Sequence, residues 1–179
     1  DLVMADSQIL VFVVMIVVVL VFRFRKISSG GPVNKNKIIF SMISYFAISM
    51  FAVFSSFQAG VSYWYVFAYA GVLMGATYLS HRHVDKSIII WKADDCKIHA
   101  KGGNIPYVIW VVGLVSRFIL GYAFLGSNYL TASFSVQKSL SPFDIEITLV
   151  VDLIMMLGVG ALAGRNLRLM SKMKDFQIS

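Results

Sequence analysis

The sequence predicts an all-α membrane protein: five transmembrane helices, N-terminus out and C-terminus in, with a short cytoplasmic β-hairpin between the third and fourth. Three observations carry this expectation. Of 179 residues, 58% are hydrophobic and 14% charged, with mean hydropathy +0.77, against about 45–50% apolar and about 25% charged in soluble domains. The apolar residues gather into five runs near the about 20 residues that a crossing helix needs. Fourteen of the sixteen Lys and Arg lie in segments that would share one side, as expected when short positive loops resist translocation.

The first run, residues 3–22, follows Asp1, encloses Asp6 and ends at Arg23, Arg25 and Lys26. It lacks the basic start of a signal peptide, so it is expected to be a retained span. Residues 28–37, rich in Ser, Gly, Pro and Asn, form a turn-rich linker. The second run, 38–57, and the third, 64–80, are joined by a short uncharged turn and are expected to form a helical hairpin, with Tyr63, Trp64 and Tyr65 at the interfacial level. In the polar stretch 81–104, residues 87–92 are β-branched and aromatic and 97–101 alternate polar and apolar, with turn-forming Ala93 to Cys96 between them. The pair predicts a β-hairpin, marginal on its own, whose Ile and Trp side chains rest on the bilayer or on a partner. The fourth run is 105–125 and the fifth 145–164, followed by a basic tail of Arg165, Arg168, Lys172 and Lys174. The whole chain, 1–179, is expected to be a single integral membrane domain in the cell membrane.

Two ionisable residues lie deep inside these runs, whereas Asp6 and Glu146 lie near the ends of theirs. Arg117 and Asp152 are each twelve residues, about 18 Å, from the expected cytoplasmic end of their own helix. A charge at such depth costs roughly 2.5–3.5 kcal/mol on insertion scales and needs a partner. The matching depths predict an Arg117–Asp152 ion pair. A structural clamp and a proton or anion site are both open to it. Gly113 and Gly121 flank Arg117, and Gly160 lies two turns from Asp152. Together with Gly71-x-x-x-Gly75 and Gly160-x-x-x-Gly164, they are expected to be helix-packing positions, since small residues let backbones approach. Span two carries Ser41, Ser44, Tyr45, Ser49, Ser55 and Ser56 within an arc of about 140°. Such a stripe either lines an aqueous path or bonds to neighbouring helices.

Ile89 and Trp91 of the hairpin are the expected docking residues for a partner or the membrane surface. His81, His83, Cys96 and His99 do not complete a four-ligand set, because His81 and His83 point about 200° apart on a helix; no metal is expected. The lone Cys96 excludes a dithiol mechanism. No nucleophile–base pair, phosphate loop or H-E-x-x-H motif is present, so neither catalytic residues nor a cofactor is expected. The net charge of +7 is explained by anionic head groups on the cytoplasmic side rather than by nucleic acid.

The order of elements also resembles a known family. A span ends in Arg23-Phe24-Arg25, a loop carries Gly31-Pro32-Val33, and two more spans follow. A hairpin with Asp94-Asp95 then leads through Tyr107 and Trp110 to Arg117-Phe118. This is similar to the CcdC-like membrane proteins associated with cytochrome c biogenesis, over about residues 22–126, with a weaker echo in 158–165. The resemblance implies a five-span protein of poorly defined activity; a thiol relay does not carry over to a chain with one cysteine. Apart from the resemblance, the glycine faces, the hairpin and the absence of catalytic motifs lead to the expectation of a non-catalytic accessory subunit among other integral membrane subunits, with a membrane oxidoreductase or monooxygenase as a candidate host. A small carrier using Arg117 and Asp152, and a cytochrome c maturation factor, are the alternatives.

Overall fold

The computed structural model describes residues 18, 21–22, 24–25, 28–58, 60–83, 87–93, 98–125 and 141–178. Among these the protein is mostly helical, with four helices of 18 or more residues and one small three-stranded sheet. The first apolar run, 3–22, lies outside the described residues apart from Val18, Val21 and Phe22, as do residues 126–140 and Cys96.

Strand β1 (Gly31–Pro32) leads into helix α1 (Lys35–Gln58). Asn34 caps α1: its side-chain oxygen accepts from the Asn36 N–H at 3.1 Å. A 3₁₀ turn at Tyr63–Tyr65 starts the segment expected to be the third span, and helix α2 (Val66–His83) continues it. Strands β2 (Ile88–Lys92) and β3 (Ile98–Gly102) follow, then helices α3 (Ile105–Leu125) and α4 (Pro142–Ile178). Gly102 and Gly103, at φ +101° and +69°, make the sharp exit from β3 that a residue with a Cβ adopts only under strain.

The expected hairpin is present, with Ile90 opposite Ala100 and Trp91 opposite His99. It is not two-stranded. β1 joins the free edge of β3, with Gly31 opposite Ala100 and Val33 N–H donating to the Ile98 carbonyl at 2.8 Å. Proline lacks an N–H and is tolerated on such an edge, so part of the expected linker is a strand.

The fifth helix also departs from expectation. It starts with a capping box, in which Ser141 Oγ accepts from Asp144 N–H at 3.2 Å and Asp144 Oδ2 accepts from Ser141 N–H at 3.3 Å. Pro142 occupies the first turn, where its missing N–H costs nothing. The helix then runs unbroken for 37 residues, through what was expected to be a basic tail. Arg165 to Lys174 contains no Gly or Pro, so hydropathy falls there while helix propensity does not.

α4 is the element on which α1, α2 and α3 all pack. The two arms of the expected α1–α2 hairpin thus lean on α4 rather than mainly on each other. One apolar cluster joins Tyr45, Tyr107, Trp110, Met155, Met156 and Leu162 in the helical half. A second joins Ile38, Ile88, Ala100, Leu169 and Met173, where the sheet covers the C-terminal part of α4. Ile88, expected to rest on the bilayer or a partner, instead points into this cluster at 4% exposure.

Glycines set the closest helix contacts. A Cβ on Gly160 would run into the Leu73 carbonyl and Ala76, and one on Gly164 into the Thr77 carbonyl and the His81 nitrogen, so this seam of α4 lies backbone to backbone with α2. Gly113 of α3 receives the Met155 backbone, and Gly158 of α4 receives that of Trp110. Among the described residues a Cβ on Gly71 or Gly75 meets nothing within 4 Å, so neither packs against α4 as Gly160 and Gly164 pack against α2. Gly121 lies in α3, and the surroundings of 121–125 are outside what is described.

Candidate functional site: a buried ion pair

Helix α3 carries Arg117 and α4 carries Asp152, and the structure brings them together. Arg117 Nε lies 3.1 Å from Asp152 Oδ1, with the side chains 6% and 0% exposed. That approach lacks the alignment of a hydrogen bond, so it is an ionic contact. The aligned bonds come from the other atoms. Arg117 Nη2 donates to Ser55 Oγ at 3.0 Å and to Ser56 Oγ at 2.8 Å. Ser56 Oγ donates in turn to Asp152 Oδ2, and the Tyr69 hydroxyl reaches the same oxygen at 3.4 Å.

Each of the four helices therefore supplies a group: Ser55 and Ser56 from α1, Tyr69 from α2, Arg117 from α3 and Asp152 from α4. A buried charge left alone is strongly destabilising, and a buried pair is tolerable when hydrogen bonds satisfy its remaining lone pairs and protons. The serine stripe of span two provides those bonds. About two turns towards the start of α1, Ser49 Oγ accepts from Trp110 Nε1 at 3.1 Å, and the Trp110 ring lies edge-on to Tyr45 at 4.6 Å. Ser44, at the exposed edge of the stripe, bonds only back to the Phe40 carbonyl at 2.8 Å. The part of the stripe formed by Ser49, Ser55 and Ser56 thus bonds to neighbouring helices, while Ser41 and Tyr45 line a cleft.

Sequence reasoning did not single out Tyr69 or Thr148. An isolated Tyr in an apolar run looks like lipid-facing or core packing, and nothing local marks its partner. Thr148 lies one turn before Asp152, and its fully buried Oγ1 has no hydrogen-bond partner among the described residues.

The expected docking residues divide. Ile89 is 63% exposed on the outer face of the sheet. Trp91 is not free in the same way: its ring lies against Gly30, on which a Cβ would strike it, and 5.6 Å from His99. Part of the surface expected to dock a partner is covered by the chain's own linker. His81 and His83 end α2 while His99 lies in β3.

These features define a class: a mostly helical protein with a small sheet, two of whose helices, Lys35–Gln58 and Pro142–Asp175, are long and apolar enough to cross a membrane. Ile105–Leu120 is a shorter apolar helix. No family model matches the chain, and no curated protein or solved structure matches it either.

Proposed function

We propose that the chain is a five-span protein of the cell membrane, N-terminus out and C-terminus in, acting as a non-catalytic accessory subunit beside other integral membrane subunits. The observation that carries this reading is the closure of its polar interior. The ion pair is enclosed by hydroxyls of α1 and α2, so its charges hold four helices in register. The outer face of α1 supports the membrane setting. Phe40, Ile43, Phe51 and Phe54 are 71%, 61%, 57% and 57% exposed, and contiguous apolar surface of this kind marks a lipid or protein contact. Helix α4, about 55 Å long at 1.5 Å per residue, exceeds an about 30 Å hydrocarbon core. Its C-terminal part is then free to carry the cytoplasmic sheet.

Gentle extraction from the native membrane, followed by native mass measurement and identification of comigrating proteins, tests this reading. A stoichiometric larger assembly is expected, and Ile89→Ser is expected to lower recovery of its partner. A chain that migrates alone or only with itself overturns the subunit reading. Comigration with a cytochrome c maturation machinery would support the role that the family resemblance implies.

One observation favours a carrier as the second reading. The unpartnered Thr148 hydroxyl lies one turn from Asp152, so a polar group is left over beside the carboxylate. A carrier loses flux in Asp152→Asn while staying folded; a clamp loses stability.

A further inference from the structure

A cleft of about 230 Å³ lies between the start of α1 and the C-terminal part of α4, closed at one end by β1 and β3. At about 30 Å³ per water, it has room for several such groups. Its polar wall is formed by Lys37, Ser41, Tyr45, Arg165 and Asn166, and no Asp or Glu lines it. Arg165 is 9% exposed, yet no carboxylate pairs with it among the described residues. The Gly102 carbonyl takes the N–H of Nε at 3.3 Å and one of Nη2 at 2.8 Å, and Asn166 Oδ1 takes one of Nη1 at 3.0 Å. Among the described residues, two of the five guanidinium N–H groups remain without a partner. A carbonyl and an amide orient a buried cation without neutralising it, and such a charge calls for an anion.

We propose that this cleft binds a phosphate group. A fixed guanidinium presents planar paired donors that match phosphate oxygens, and the Lys37 ammonium adds a mobile point charge at the cleft. Apolar neighbours Ile38, Leu162 and Leu169 complete the wall, which suits an esterified phosphate better than a bare ion. The source is either the head group of an anionic phospholipid or a free phosphate. The lipid source rests on the membrane reading above; the free-phosphate source does not.

The test uses the full chain in two arms. Inorganic phosphate is titrated by calorimetry into the protein in phosphate-free detergent, and nanodiscs of phosphatidylcholine with or without phosphatidic acid are assayed for retained lipid by native mass spectrometry. Saturable binding is expected in at least one arm: the phosphate arm identifies a free ligand, the lipid arm alone a head group. Lys37→Gln, on an exposed side chain outside the packing, is expected to weaken binding about threefold, and Arg165→Gln about tenfold or more. Lys174→Gln, exposed and outside the cleft, is expected to leave it unchanged. No saturable binding in either arm, or equal losses in Lys37→Gln and Lys174→Gln, overturns the site. If the chain needs no detergent to stay in solution, the membrane reading fails while the phosphate arm still decides the cleft.

Discussion

Helix α4 meets its neighbours in two different ways. Along Gly160 and Gly164 it lies backbone to backbone with α2, and nothing larger than hydrogen fits. Around Asp152 it faces α1 across polar side chains, with Arg117 of α3 and Ser56 of α1 meeting the carboxylate, although Gly113 and Gly158 bring the α3 and α4 backbones together. The first contact is specified by what it excludes and the second by what it satisfies. Adding atoms should therefore break the seam, and removing them should break the polar face.

The largest effect is expected at the polar face. Arg117→Ala or Asp152→Asn leaves one buried charge uncompensated, a loss of about 3–5 kcal/mol where such pairs have been broken. Unfolding of each variant in detergent, followed by helical signal, measures it. Replacing both residues with apolar ones of similar size, Arg117→Met with Asp152→Leu, should recover most of the loss, because the cost lies in the orphaned charge. A double variant as unstable as either single one would mean that the pair does more than cancel itself.

At the seam, the expected perturbation has the opposite sense of volume. Gly164→Val drives a side chain into the Thr77 carbonyl and the His81 nitrogen, and overpacking of this kind costs about 1–3 kcal/mol. Gly160→Val should behave similarly. If either variant is as stable as the parent, α2 and α4 do not approach as closely as this comparison requires.

A smaller effect separates two serines of one stripe. Ser56→Ala removes both an acceptor for Arg117 and a donor to Asp152, and interhelical hydrogen bonds within membranes average about 0.6 kcal/mol, with a maximum near 1.7. A position between charged partners should fall at the upper end. Ser44→Ala, whose hydroxyl returns to its own helix, should change nothing measurable.

How much of this was legible in the sequence depends on whether a feature is local. The bounds 105–125 coincide with α3, because a polar hairpin and a polar loop bracket that run. The strands of the hairpin show in β-branched residues and alternation. The depth of Arg117 and Asp152 could be matched because helical rise is fixed, so counting residues counts ångströms. What stayed hidden was non-local. A two-residue strand at Gly31–Pro32 carries no pattern, and only β3 makes it one. The helical continuation through Arg165 was hidden by charge, since a drop in hydropathy ends a membrane span without ending a helix. Trp91 looked like a surface anchor because nothing local shows that Gly30 folds back over it.

The two glycine pairs sharpen the same point with the smallest effect and the opposite sign. Gly71-x-x-x-Gly75 and Gly160-x-x-x-Gly164 share one spacing, and spacing alone assigns them one role. Among the described residues only the second pair has a backbone against it, while the first meets nothing within 4 Å. An unpacked glycine in a helix interior retains its propensity penalty, about 0.8–1.0 kcal/mol relative to alanine. Gly75→Ala is therefore expected to stabilise the protein, by up to that amount, where Gly164→Ala destabilises it. Paired thermal unfolding of these two variants reads the difference directly. If Gly75→Ala destabilises instead, then the surface left open among the described residues is occupied, and the face carrying Gly71 and Gly75 becomes the place to look for a contact.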